Sequence, residues 1–81
     1  MKKSGPPSKQ TNYGSAHVLG QAISAYQTNN FEEAYRLCNL VLKQDKGNVI
    51  ALHLFGILNA LRNDFPKALK FLDRALTLSP H

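Results

Sequence analysis

The sequence lacks the features that point to export, membrane insertion or disulfide bonding. It has a single cysteine, which excludes an internal disulfide and favours a reducing compartment, the cytoplasm. Residues 4–15 contain no apolar run of the kind that a signal peptide needs. The longest apolar stretch, residues 49–61, includes His53 and Asn59 and is shorter than the ~20 residues that cross a bilayer. We therefore expect a cytoplasmic protein with no membrane segment.

Residue sets that carry out catalysis or hold metals are also missing. No glycine-rich phosphate loop and no Ser/His/Asp set occurs. The three histidines are scattered, with no partner at metal-ligand spacing. Cys38 lies on the apolar face of a predicted helix, where a buried packing residue is expected rather than a nucleophile. These observations predict a protein that is not an enzyme and has no cofactor and no metal.

The net charge of +5 comes mostly from the amino terminus. Lys2, Lys3 and Lys9 supply three of the ten positive charges, so the rest of the chain has seven cations against five carboxylates, a net of +2. A nearly balanced body gives little reason to expect nucleic acid as a partner. Residues 1–14 are rich in Pro, Gly, Ser and Lys, which predicts a flexible basic leader.

Four apolar-periodic segments follow the leader, separated by short polar breaks. The predicted helices cover residues 16–28, 31–44, 49–62 and 65–78, with no strand, and the third is the most apolar all round. Asn30 with Glu33 makes a capping-box pattern for the second helix, and Gly47 can end that helix in the left-handed conformation. The caps predicted for the other helices are Ser15, Asn48 and Asp64, with Ser79-Pro80 closing the fourth.

The chain repeats itself with a period of 34 residues. "NNFEEAYRLC" begins at Asn29 and "NDFPKALKFL" begins at Asn63, with an aromatic residue and an alanine at matching places in both. A fixed period of this length is typical of helical repeat arrays. The sequence therefore predicts two equivalent helix–turn–helix units, residues 15–48 and 49–81.

These units resemble the tetratricopeptide repeat, an α-α superhelix of antiparallel helix pairs. Small residues are needed where paired helices cross most closely, and Gly56 and Ala68 stand at those places. The other residues of the second unit that match the family pattern are Leu52, Phe55, Leu72, Ala75 and Pro80. The first unit is degenerate and matches at Ala22, Ala34, Cys38 and Val41. The resemblance implies an all-α fold of four helices.

The family binds partners in a concave groove lined by the first helix of each unit. Carried over to this chain, the groove residues are Leu19, Ile23, Tyr26, Gln27, Ile50, His53, Ile57 and Leu61. This apolar set suits a partner helix or an extended apolar peptide, so the resemblance implies a non-catalytic protein-interaction module. The same residues could instead pack against a neighbouring domain.

Two other functions compete with this interpretation. The run "ALHLFGIL", residues 51–58, is similar to repeats appended to bacterial glycosyltransferases and sulfotransferases, which implies the recognition arm of a modifying enzyme. RNA binding, as in pentatricopeptide repeats, would require a basic groove and a period nearer 35.

Repeat arrays usually need about three units and a polar terminal cap. The fourth helix has no such cap, so we expect self-association, or a further repeat or domain, to cover its exposed stacking face: Leu69, Leu72, Leu76 and Leu78.

Overall fold

A computed structural model describes the chain over residues 7–79, with side chains from Ser15 onward. The described part contains four α-helices and no strand: α1 (Pro7–Gln27), α2 (Phe31–Gln44), α3 (Val49–Leu61) and α4 (Phe65–Leu78). α1 packs along α2, α3 packs along α4, and α2 joins the two pairs by contacting α3. The predicted all-α arrangement of two antiparallel helix pairs is confirmed.

The first helix begins earlier than the sequence pattern predicts. It starts at Pro7 instead of residue 16, so residues 7–14 of the expected leader are helical and Ser15 lies inside α1 rather than at its cap. Proline at the first helical position loses no hydrogen bond and has its φ angle already set for a helix. The remainder of the leader, residues 1–6, lies outside the described residues, as does Pro80, which was expected to close α4. The flexibility of the leader stays a prediction.

Each helix pair is joined by the same turn, made by an asparagine in the left-handed conformation. Asn29 and Asn63 both have φ 65°. The amide of the following residue donates to the carbonyl five residues back in both turns, from Asn30 to Ala25 at 2.8 Å and from Asp64 to Asn59 at 2.9 Å. This is the Schellman pattern, which satisfies the last carbonyls of a helix. The 34-residue repeat is therefore reproduced in backbone hydrogen bonds as well as in sequence.

The end of α2 differs from the expectation. No glycine in the described residues has a positive φ, so the prediction that Gly47 adopts the left-handed conformation is wrong. The amide of Asp45 instead continues the helical pattern by donating to Val41 at 2.8 Å, and the amide of Asn48 donates to the carbonyl of Asp45. This short turn leads directly into α3 without any left-handed residue.

Two of the four predicted N-caps form; Asn30 does not form one, and Ser15 lies inside α1. The side-chain oxygen of Asn48 accepts from the amide of Ala51 at 3.0 Å, and that of Asp64 accepts from Lys67 at 3.3 Å. The prediction of a capping box for α2 is wrong, because the side chain of Asn30 makes no cap hydrogen bond. Glu33 instead accepts two hydrogen bonds from the guanidinium of Arg36, an arrangement that is stronger than a neutral amide contact.

The core is centred on α3, as its composition predicts. Among the described side chains, α3 contributes more buried residues than any other helix: Ala51, Leu52, Leu54, Phe55, Gly56, Leu58 and Asn59. Asn59 is accommodated because its side-chain amide donates to the carbonyl of Phe55 at 2.8 Å. A Cβ atom added to Gly56 would lie 2.6 Å from Cγ of Leu72 and 3.2 Å from the carbonyl oxygen of Ala68. The predicted close crossing of α3 and α4 at Gly56 and Ala68 is thus confirmed.

Candidate partner-binding surface

An apolar groove runs between α1 and α3. It has a volume of about 360 Å³ and is lined by Ile23, Val49, Ile50, His53, Leu54 and Ile57. Five of these six side chains are aliphatic, and Ile50 leaves 58% of its surface exposed. The helical spacing of Ile50, His53 and Ile57 sets them on one side of α3, opposite Ile23 of α1. We call these six residues the groove.

The structure brings together only part of the predicted groove. Ile23, Ile50, His53 and Ile57 line it, and Val49 and Leu54 were not predicted to do so. Tyr26 lies elsewhere: it packs against the core, and its ring centroid is 5.7 Å from that of Phe31 at the start of α2. The other predicted residues do not line the groove either; Leu19 is partly buried, and Gln27 and Leu61 are exposed.

A second hollow of about 450 Å³ lies between α3 and α4. It is lined by Val49, His53, Leu72, Ala75, Leu76 and Ser79. Val49 and His53 belong to both cavities, so apolar surface continues from α1 across α3 to α4. The prediction that only the first helix of each unit lines the binding surface did not include this part of α4. The regular apolar spacing of α4 is the sequence signal that could have revealed it.

The outer face of α4 is apolar and uncovered. Leu69 is 67% exposed, Leu76 is 63% exposed and Phe65 is more than half exposed. Leu78 does not belong to this face as predicted: it lies about 180° around the helix from Leu69, with its side chain toward Gly47. Leu72 differs from the expectation that it is exposed: it is partly buried, because one side of it fills the space over Gly56. Fully burying a leucine or phenylalanine contributes about 1.5–3 kcal/mol. Covering this face would therefore contribute several kcal/mol.

An aromatic cluster joins α2, α3 and α4 on the side away from the groove. The ring of Phe55 lies between Tyr35 and Phe71, with centroid distances of 4.7 and 4.8 Å. The guanidinium of Arg62 lies 4.1 Å from the centroid of Tyr35, and the amine of Lys67 is 3.3 Å from the hydroxyl oxygen of Tyr35. The sequence interpretation did not single out Tyr35. Its position 34 residues before Leu69 is a signal that could have done so.

The titratable groups of the described residues show little that resembles a reactive site. Burial raises the pKa of the Cys38 thiol to about 11, so the nucleophilic thiolate is disfavoured near neutral pH. The pKa of Glu33 is lowered by its hydrogen bonds from Arg36, an exposed ion pair on α2. Within residues 15–79, no group of three His, Cys, Asp or Glu side chains is placed to hold a metal ion.

None of the helices in residues 7–79 is both long enough and apolar enough to cross a bilayer. No protein-family model matches the chain, and no solved structure matches it.

Proposed function

We propose that this chain is a non-catalytic interaction module that binds an amphipathic helix of a partner protein in the groove. The observation that carries the proposal is the exposed aliphatic surface on one side of α3, centred on Ile50 and continuing to Ile23 of α1. Binding sites are typically concave and mostly apolar with a few polar groups, as this groove is.

A helix suits the groove better than an extended peptide does. The walls of the groove are helices, whose backbone amides and carbonyls are already paired within α1 and α3. An extended peptide would leave its own backbone groups without partners against these walls, which is costly once water is excluded. A helix satisfies its backbone internally and presents apolar side chains at positions i, i+3, i+4 and i+7. His53, on the shared edge of both cavities, is the one ring of the lining that can exchange a hydrogen bond with the partner.

The charge distribution favours a protein partner over RNA. The residues that line the groove include no lysine and no arginine. Cations lie on the other side, where Arg62 and Lys67 contact Tyr35 and where Arg74 lines a hollow with Phe71. RNA binding depends on cations along the binding surface. The groove therefore supports the proposal of an apolar protein partner.

The tetratricopeptide-like identity of the two units is part of the same proposal. It is supported by the matching Schellman turns at Asn29 and Asn63 and by the close crossing at Gly56. The buried Cys38, with its raised pKa, supports a packing role for this thiol and agrees with a cytoplasmic, non-catalytic protein.

The test is fluorescence anisotropy with a labelled model peptide, a 14-residue amphipathic helix with leucine at helical spacing and Lys and Glu on its polar face. The full chain should bind it, and Ile50→Glu and Ile57→Glu should each weaken binding by on the order of tenfold or more, because a carboxylate would be desolvated at the contact. Leu40→Glu is the matched control, since Leu40 is exposed on α2 and does not line the groove.

Two peptide controls separate helix recognition from general stickiness. A peptide of the same composition with its leucines rearranged off one face should bind much more weakly. A version with proline at its centre should also lose affinity, because proline breaks the helix. Equal binding of all three peptides, or wild-type affinity in Ile50→Glu, would overturn the proposal.

A further inference from the structure

Three exposed residues of α4 and the partly buried Leu72 have the spacing of a helix–helix seam. They follow one another at intervals of four, three and four: Phe65, Leu69, Leu72 and Leu76. This is the alternation by which two helices pack side by side in coiled coils. We call these four residues the α4 seam. The cations of α4 stay off it, because Lys67 lies over Phe55 and Lys70 lies over Phe71, on the side that faces α2.

In the first unit, the equivalent face belongs to α2 and is covered by α3. Leu69 and Leu76 stand 34 residues after Tyr35 and Leu42. Tyr35 and Leu42 lie on α2 and contact α3. The ring of Tyr35 packs on Phe55, and Leu42 lines the same hollow as Leu52. The α4 seam is therefore the equivalent of a surface that, one unit earlier, is covered by a helix.

The α1 helix of another copy is poorly suited to cover the seam. The residues of α1 equivalent to Phe55, Leu58 and Arg62 of α3 are Gln21, Ser24 and Thr28. All three are polar and exposed. Head-to-tail stacking of copies would place Gln21 against Leu69, where the first contact of this kind pairs Phe55 with Tyr35, and would leave the Gln21 amide without a partner in an apolar contact; Leu76 would meet Val18, the equivalent of Leu52. An open-ended array of copies is disfavoured for this reason.

We propose that a second copy of this chain covers the face, by antiparallel packing of α4 on α4 about a two-fold axis near Leu72 and Asp73. In this arrangement Leu69 of each copy lies opposite Leu76 of the other, so the seam meets itself and the assembly closes as a dimer. Lys67, Lys70 and Arg74 lie toward α2 and stay hydrated. The two Asp73 carboxylates next to the axis repel each other, so the apolar contacts of the seam must outweigh this repulsion. The proposal does not rest on the groove, because none of the four seam residues lines it; Leu72 and Leu76 line only the second hollow.

The test is sedimentation equilibrium of the full chain from low to high micromolar concentration. The wild type should form dimers, and Leu69→Glu and Leu76→Glu should each weaken the dimer by at least about tenfold. Ile50→Glu is the matched control, because its side chain is exposed to a similar degree and it lies in the groove. Circular dichroism of each variant shows that it stays folded. A wild type that is monomeric at high micromolar concentration, or dimers of unchanged strength in Leu69→Glu, would overturn the proposal.

A self-crosslink tests the symmetry. Asp73→Cys, next to the axis, should form a covalent dimer on mild oxidation, whereas Ser24→Cys on α1 should not; the native Cys38 is buried and does not interfere. Crosslinking of Ser24→Cys with Asp73→Cys in a mixed sample, without crosslinking of Asp73→Cys alone, would show head-to-tail stacking instead and refute the two-fold packing.

Discussion

Replacing Gly56 by alanine is expected to push α3 and α4 apart. The new Cβ would lie 2.6 Å from Cγ and 2.7 Å from Cδ2 of Leu72, and 3.2 Å from the backbone oxygen of Ala68. The first two contacts are far below normal van der Waals separation, and the third involves a backbone atom that cannot rotate away. Overpacking of this kind costs about 1–3 kcal/mol. Alanine also favours the helix by about 0.8–1 kcal/mol over glycine, so the net loss of stability is about 0–2 kcal/mol.

Gly20 provides the matched control for this prediction. It also lies inside a helix, but no atom lies within 4 Å of a Cβ added there. Gly20→Ala should therefore gain the full helix preference, about 0.8–1 kcal/mol, with no steric cost. The difference between the two variants isolates the packing cost at the crossing of α3 and α4.

Urea and thermal unfolding, followed by circular dichroism at one protein concentration, measure this difference. Gly20→Ala should be more stable than Gly56→Ala by about 1–3 kcal/mol, which corresponds to at least about 4 °C in Tm for a domain of this size. Adding Leu72→Ala to Gly56→Ala should cost less than Leu72→Ala costs alone, because it removes the clash. Equal stabilisation by both glycine replacements would show that the helices do not cross closely at Gly56 and would refute the reasoning.

Three further predictions concern local features, and each is tested by urea unfolding. Asp64→Ala should cost about 0.5–2 kcal/mol because it removes a formed N-cap, whereas Asn30→Ala should change stability by less than about 0.5 kcal/mol because its side chain caps nothing. Asn63→Ala should cost about 1–2 kcal/mol at φ 65° while Asn63→Gly is tolerated; equal effects would contradict the left-handed turn. Because burial raises the pKa of Cys38 from 9.0 to about 11, the stability it confers is present below pH 9 and lost as the pH rises toward 11, by about 2–3 kcal/mol. Cys38→Ala should lack this part of the pH dependence.

The sequence predicted helix boundaries correctly where the boundary is set by contacts within the helix itself. The N-caps Asn48 and Asp64 form because each side chain bonds an amide three residues on, a contact that needs no tertiary partner. The capping box at Asn30 failed because the backbone amide of Asn30 already donates to the carbonyl of Ala25 in the turn, so the carboxylate of Glu33 bonds Arg36 instead. Residues 7–14 were expected in a flexible leader on composition alone, which does not exclude a helix that starts at Pro7.

The binding surface was less predictable, because it depends on how helices face one another. The sequence identified the apolar side of α3, so Ile50, His53 and Ile57 were found. It did not show that Tyr26 turns toward the core and Phe31. Neither did it show that α4 extends the concave surface through Leu72 and Leu76.

By itself the sequence determined the number of helices, their polar breaks and the 34-residue equivalence of the two units, because helical periodicity and caps are local properties of the chain. Only the tertiary structure decided which apolar residues are covered. Leu72 and Leu69 look alike in the α4 pattern, yet Leu72 is partly buried over Gly56 while Leu69 is 67% exposed. The physical reason is that burial depends on the distance and angle between helices, here set by the missing side chain of Gly56, and the spacing of residues along one helix carries no information about that distance.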